Sequence, residues 1–147
     1  PIFPLANTIA NINIDMIGRV DYEHTTATRD FVYVIGSEML STDLHKAVLT
    51  ANNSLKINLD MRYNTPDDPN QFYYRSDHYN FAKHNIPSVF FFNGVHDDYH
   101  QPGDTPDKIE YDLLRRRTQL AFNTTWILAN AENRPVVDKT SPMRSKR

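Results

Sequence analysis

The sequence contains no cysteine. That excludes a disulfide framework and any thiolate-bound metal, so a metal held by this chain must be ligated by His, Asp or Glu. No apolar run approaches the roughly 20 residues that cross a bilayer as a helix, which excludes a helical membrane span. Neither sign of charge dominates: 16 basic side chains stand against 18 acidic ones. A net charge of -2 gives no electrostatic reason to expect nucleic acid as a partner. Internal repeats and low-complexity segments are absent. The chain begins at Pro1 with no signal-like segment, and reads as either a processed product or a piece of a larger protein.

What is present suits one folded domain. Apolar residues make up 39% and charged residues 23% of 147, enough for a core and too apolar for a disordered chain. Residues 8–17 read as a strand, with Ile12, Ile14 and Met16 alternating with Asn11, Asn13 and Asp15 until Gly18 ends it. A second strand is expected at 31–35. Gly36 and Ser37 then lead into a helix over 41–52, capped by Ser41 or Thr42 and buried through Leu44, Ala47 and Val48. Residues 55–62 read as a third strand, and 64–70, with Pro66 and Pro69, as a surface loop. Ser76 is expected to cap a helix that carries Asp77 in its first turn and stops near 84–85, ahead of Pro87.

The apolar run 88–92 reads as a strand buried on both faces. A loop rich in Asp, His, Gly and Pro fills 93–108. A long helix over 110–130 follows, burying Leu113, Leu114, Leu120, Ala121, Ile127 and Leu128. Arg115, Arg116, Gln119 and Asn123 are expected to face water, and the whole run 115–117 reads as solvated. Residues 1–132 form the folded part and 133–147 a tail, with Lys139, Arg144, Lys146 and Arg147 as its solvated basic end. Strands alternating with helices make this an α/β domain.

In open α/β sheets, ligands bind outside the carboxyl ends of the strands. Asp15 near the end of the first strand and His100 in the loop after the buried strand are therefore candidate metal ligands. Their donors suit a hard or borderline divalent cation, zinc above all. Each also reads, alone, as a turn or surface residue. His96 and His100, with Asp97 and Asp98 between them, form an alternative local metal site.

Three ordered segments, NIDMIGR, YYRSDHYNFAKHNIPSVFFFNG and DYHQPGDTPDKI, resemble the second half of the co-catalytic dizinc aminopeptidases over about residues 7–127. That family includes bacterial leucyl aminopeptidases and glutamate carboxypeptidases. The resemblance implies a partial three-layer α/β/α sandwich with a mostly parallel or mixed sheet, a peptide substrate and two Zn2+ ions per complete site. It implies that Asp15 binds one zinc and His100 the other, and that Tyr73, three residues before the SDH triplet, helps stabilise the oxyanion. Asp77 and His78 are expected to support the site, and Asp104 and Thr105 to shape the His100 loop. Relatives of this kind are commonly exported, so a periplasmic or secreted location is implied.

The family's H-x-D motif and Glu-Glu pair supply the bridging carboxylate, further ligands and the general base, all upstream of the DMIG-like segment. Neither an H-x-D ahead of Asp15 nor any Glu-Glu pair occurs here, and Asp43-Leu44-His45 has the wrong order and place. The chain is thus expected to begin after the catalytic base, to bind zinc poorly and to hydrolyse nothing alone. Its exposed sheet edge is expected to recruit the missing N-terminal half or a second chain, a homo-oligomer included. Two further readings stay open: a single-zinc enzyme like the glutaminyl cyclases, and a non-catalytic peptidase-like binding module.

Overall fold

The computed structural model describes residues 2–24 and 27–140. Four strands, β1 (Asn11–Asp15), β2 (Phe31–Ile35), β3 (Asn58–Asp60) and β4 (Ser88–Phe92), form a sheet in the order β1-β4-β2-β3. β1 is parallel to β4 and β2 to β3, whereas β2 and β4 are antiparallel, so the sheet is mixed. Helices α1 (Thr42–Ala51) and α3 (Tyr111–Ala129) pack together on one face, and the short helix α2 (Tyr79–Ala82) lies on the other. This is the expected α/β arrangement of three layers.

Strands β2 and β4 are buried at every position, and their alternation divides the side chains between two cores. Val32, Val34, Val89 and Phe91 meet Leu44 and Val48 of α1 and Leu120 and Leu128 of α3. Phe31, Tyr33, Ile35, Phe90 and Phe92 meet Leu40, Tyr73 and Ala82 on the opposite face. Gly36, in the left-handed region at φ +83, permits the closest approach there: a Cβ would stand 2.7 Å from the Tyr73 ring.

The strands are shorter than the alternation suggests, for local reasons. β1 begins only where β4 can pair with it, the Asn11 amide bonding to the Pro87 carbonyl, and it ends where Met16 turns left-handed at φ 61. The expected strand over 55–62 shrinks to three residues. Asn52 clamps Ile57 with two side-chain bonds of 2.8 and 2.9 Å, and Lys56 is left-handed at φ 56, so residues 52–57 complete the end of α1 instead. Ser41 caps α1 as expected, accepting from the Leu44 amide at 3.2 Å.

Helix α2 is a single turn that begins after the SDH triplet rather than at Ser76. Ser76 does not cap it, because its hydroxyl is engaged by Asn13 and Asp15 on β1. The tail is not loose either. Arg134 donates to Ala6 O at 2.7 Å, Asp138 accepts from the Thr42 amide at 2.9 Å, and Lys139 pairs with Glu38 at 2.9 Å. Residues 133–140 thus strap the start of α1; Arg144, Lys146 and Arg147 lie outside the described residues.

The largest departure from expectation is Arg117. Read as part of a solvated run, it is instead 1% exposed. Its guanidinium donates to the carbonyls of Ile17 (2.7 Å), Arg19 (2.9 Å), Arg29 (2.9 Å) and Phe31 (3.0 Å). Burial pulls its pKa down to about 10, which still leaves it protonated at neutral pH. Arg115 remains exposed, while Arg116 binds Asp30 and the Leu55 carbonyl.

Two stability measurements follow. Arg117→Met removes a donor from four backbone carbonyls, of which only that of Phe31 keeps another among the described residues, from Asn93 Nδ2. Urea unfolding is expected to register a loss of about 3–5 kcal/mol. His78 is fully buried and stacks on Phe90 with ring centroids 4.8 Å apart. Desolvation pushes its pKa down to about 4 from 6.5. The folded state therefore binds fewer protons than the unfolded one between those values. The contribution is fully present above about pH 6.5 and is lost as pH falls through that window, on the order of 2–3 kcal/mol by pH 4. Unfolding curves of His78→Phe at pH 7 and pH 4 should show that much less acid sensitivity than the wild type.

Candidate functional site

Parallel pairing sets Asp15 opposite Phe92, so β1 and β4 end at the same rim of the sheet. A cavity of ≈ 240 Å³ lies at that rim, with Asp15, Arg75, Ser76 and His100 among its walls. Phe72, Phe90, Phe92 and Tyr99 supply its aromatic lining. The two metal-ligand candidates, 85 positions apart in sequence, are therefore brought to one cleft. The strand supplies Asp15 directly, and the long loop after β4 returns His100 to the same rim.

Asp15 is held in place from the side. The Ser76 hydroxyl donates to Asp15 Oδ2, and Asn13 Nδ2 donates to the same oxygen at 3.2 Å. Asn13 also bonds Ser76 at 3.0 Å, closing a triangle between β1 and the SDH triplet. Both donors fall on Oδ2, so Oδ1 has no protein donor among the described residues. His100 stacks on Tyr99 with centroids 3.9 Å apart. Met16 and His100 both have positive φ, at 61° and 56°. Non-glycine residues rarely adopt that conformation, and here it recurs on the two sides of one cleft.

The loop that carries His100 is stitched to the segment leaving β1. Arg19 bonds Asp98 at 2.6 Å and Asp104 at 3.3 Å, Lys108 bonds Asp98 at 2.8 Å, and Tyr22 donates to Asp97. Lys108 and Arg19 hold the Asp98 carboxyl below its ordinary range. Asp104 thus shapes the loop, as expected. The alternative local site does not form: Asp97 and Asp98 are committed to these partners. His96 lies against a separate cavity with Ile17, Arg19 and Leu114. Among the described residues, no group of three or more His, Asp or Glu is arranged to hold a metal ion. Asp15 and His100 have the right donor chemistry for two zinc ligands, but not the number for a complete site.

Tyr73 is not on the cleft wall. Its side chain is 1% exposed and packs between the Gly36 turn and the rings of Tyr74, His78 and Tyr79. His78 is beneath the site as packing rather than as a ligand, and Asp77 is exposed.

Sequence reasoning missed a second polar cluster. His24 is buried, with Nδ1 3.0 Å from Asp21 and Nε2 3.3 Å from Asp60, and it stacks on Phe31 at 3.4 Å. The Tyr33 hydroxyl donates to Asp21 at 2.6 Å, and burial raises the pKa of that phenol. The cluster anchors the segment after β1 to β2 and β3. Asp21 comes so close to Gly94 that a Cβ there would stand 2.5 Å away. No periodicity marks such a cluster; it exists only through tertiary pairing.

Comparison with solved structures finds a similar fold in the crystal structure of BSAP, a zinc aminopeptidase from Bacillus subtilis. The identity is 20% and the TM-score 0.61, over 92% of this chain and 32% of that one. This chain therefore spans about a third of the length of that relative. Among curated proteins no match was found. Residues 2–125, most of the chain and all of the cleft, match Peptidase family M28. The chain belongs to that family.

Proposed function

We propose that these residues are part of a zinc-dependent exopeptidase, an aminopeptidase acting on the N-terminal bond of peptides. One observation carries the reading: Asp15 and His100, from separate elements, line the same cleft, and Asp15 is already oriented by Ser76. A carboxylate and an imidazole are the donors zinc takes in the absence of thiols, and a hydrogen-bonded partner behind a ligand fixes its direction. Two such ions, when bound, activate water and polarise the scissile carbonyl.

In this reading Asp15 serves one ion and His100 the other, and Ser76 and Asn13 orient Asp15. Tyr73, buried behind the cleft wall in this chain, stabilises the oxyanion only if completion of the site brings its hydroxyl to the cleft. The general base and bridging carboxylate come from residues outside this chain. Zinc usually takes at least three protein ligands, so the isolated chain is a half-site. Its complement is the upstream half of the domain, or a second chain, pairing along the free edge of β1.

Elemental analysis after dialysis is expected to find well under one zinc per isolated chain. Supplying an upstream segment with H-x-D and Glu-Glu should raise this to two and bring hydrolysis of aminoacyl substrates. Asp15→Asn or His100→Ala in the completed protein should then lower kcat/KM more than about a hundredfold. Tight zinc with turnover in the isolated chain, or a zinc-loaded complete protein without peptidase activity, would overturn the reading. For Tyr73, Tyr73→Phe should lower kcat by roughly a hundredfold with KM little changed. An unaltered kcat removes Tyr73 from the mechanism and leaves it as core packing.

A further inference from the structure

Arg75 is the only Lys or Arg among the residues lining the cleft. Its guanidinium sits 5.0 Å from the centroid of the Phe72 ring, and Nη1 donates to the Asn70 carbonyl at 3.3 Å. Those two contacts hold the side chain in place while leaving most of its N–H donors unspent. Arg19, Arg29, Arg62 and Arg116 each pair with a carboxylate. Arg75 has no such partner among the described residues, although it stands in the one cleft where a ligand is expected.

A planar cation stacked on a ring, with its fork unpaired, suits bidentate binding of a carboxylate. Phe72, Phe90, Phe92 and Tyr99, with Met16 and Val95, supply apolar wall that suits the body of a peptide residue. Arg75 also directly precedes Ser76, the residue that orients Asp15. A ligand held by Arg75 is therefore positioned by the same short segment as the proposed metal ligand.

We propose that Arg75 is the specificity-determining residue of this cleft and binds a carboxylate of the peptide. That carboxylate is either the C-terminal group of a dipeptide or the side chain of an acidic residue. The assignment of a peptide rests on the exopeptidase reading above; the carboxylate contact does not require turnover. Arg75 binds and places this group, and no bond changes at it.

Three probes separate the possibilities. Leucyl-leucine carries only the C-terminal carboxylate, glutamyl-leucinamide only the side-chain one, and leucyl-leucinamide neither. Binding to the metal-free 147-residue chain, where nothing is hydrolysed, is followed by NMR through the backbone amide cross-peaks of the cleft residues in wild type and variants alike. The Arg75 Nε–H cross-peak is an added reporter in the wild type. At least one carboxylate peptide is expected to bind about tenfold or more tightly than leucyl-leucinamide. Arg75→Met should abolish that preference, with Arg75→Lys recovering part of it. The favoured probe identifies the source of the carboxylate. Equal binding of all three, no binding of any, or a preference that survives Arg75→Met overturns the proposal. A preference that depends on Arg75, in a completed zinc-loaded protein that hydrolyses none of the three, would support this contact while removing the peptidase reading.

Discussion

Four backbone carbonyls converge on the guanidinium of Arg117, and the architecture around the cleft depends on that convergence. Ile17 and Arg19 belong to the chain leaving β1, Arg29 and Phe31 to the chain arriving at β2. Irregular backbone of this kind cannot satisfy its own carbonyls, and burying them bare costs roughly 1–3 kcal/mol each. A single cation from α3 supplies donors to all four. It also lies over the Phe31 ring, 5.5 Å from the centroid, so the charge is met by a ring face as well as by oxygen. Helix and sheet are thereby locked at the level where β1 ends.

From that lock the position of the site follows in steps. The segment fixed by Arg117 carries Arg19 and Tyr22, and these take hold of Asp98, Asp104 and Asp97 in the long loop after β4. The Glu110 amide bonds back to the Gly18 carbonyl at 2.9 Å, so the loop is tied at its far end too. Exposed ion pairs contribute little individually, but these are linked through Arg19 and Asp98 and are partly shielded. Their geometric effect matters more than their energy: they return His100 to the rim that Asp15 occupies.

Much of this was legible in the residues. The alternation in 11–15, the apolar run 88–92 and the cap at Ser41 gave the strands and α1 because each depends on local pattern. Asp15 and His100 stood out by their places at strand ends and were assigned to two ions by motif resemblance; the parallel register of β1 and β4 is what brings them together. Arg117 was misread although it lies on the same helical stripe as Leu113, Leu120 and Thr124; its charge was weighed above its position. Ser76 was misread because hydroxyls cap helices by local rules, whereas its partner here lies 61 residues away. The cluster of Asp21, His24, Tyr33 and Asp60 left no pattern, since its members come from three separate segments.

The sheet also divides the chromophores of the protein. Phenylalanine and tyrosine rings crowd the cleft side, from Tyr33 and Tyr63 through Phe72 and Tyr73 to Phe90 and Phe92. The α1–α3 side is almost wholly aliphatic. The single tryptophan, Trp126, stands 61% exposed on α3, stacked on Phe122. Its emission thus originates in solvent on the far side of the sheet from the site. Intrinsic fluorescence excited at tryptophan wavelengths is consequently blind to occupancy of the cleft, and near-ultraviolet dichroism of the tyrosines is the optical signal that looks into it.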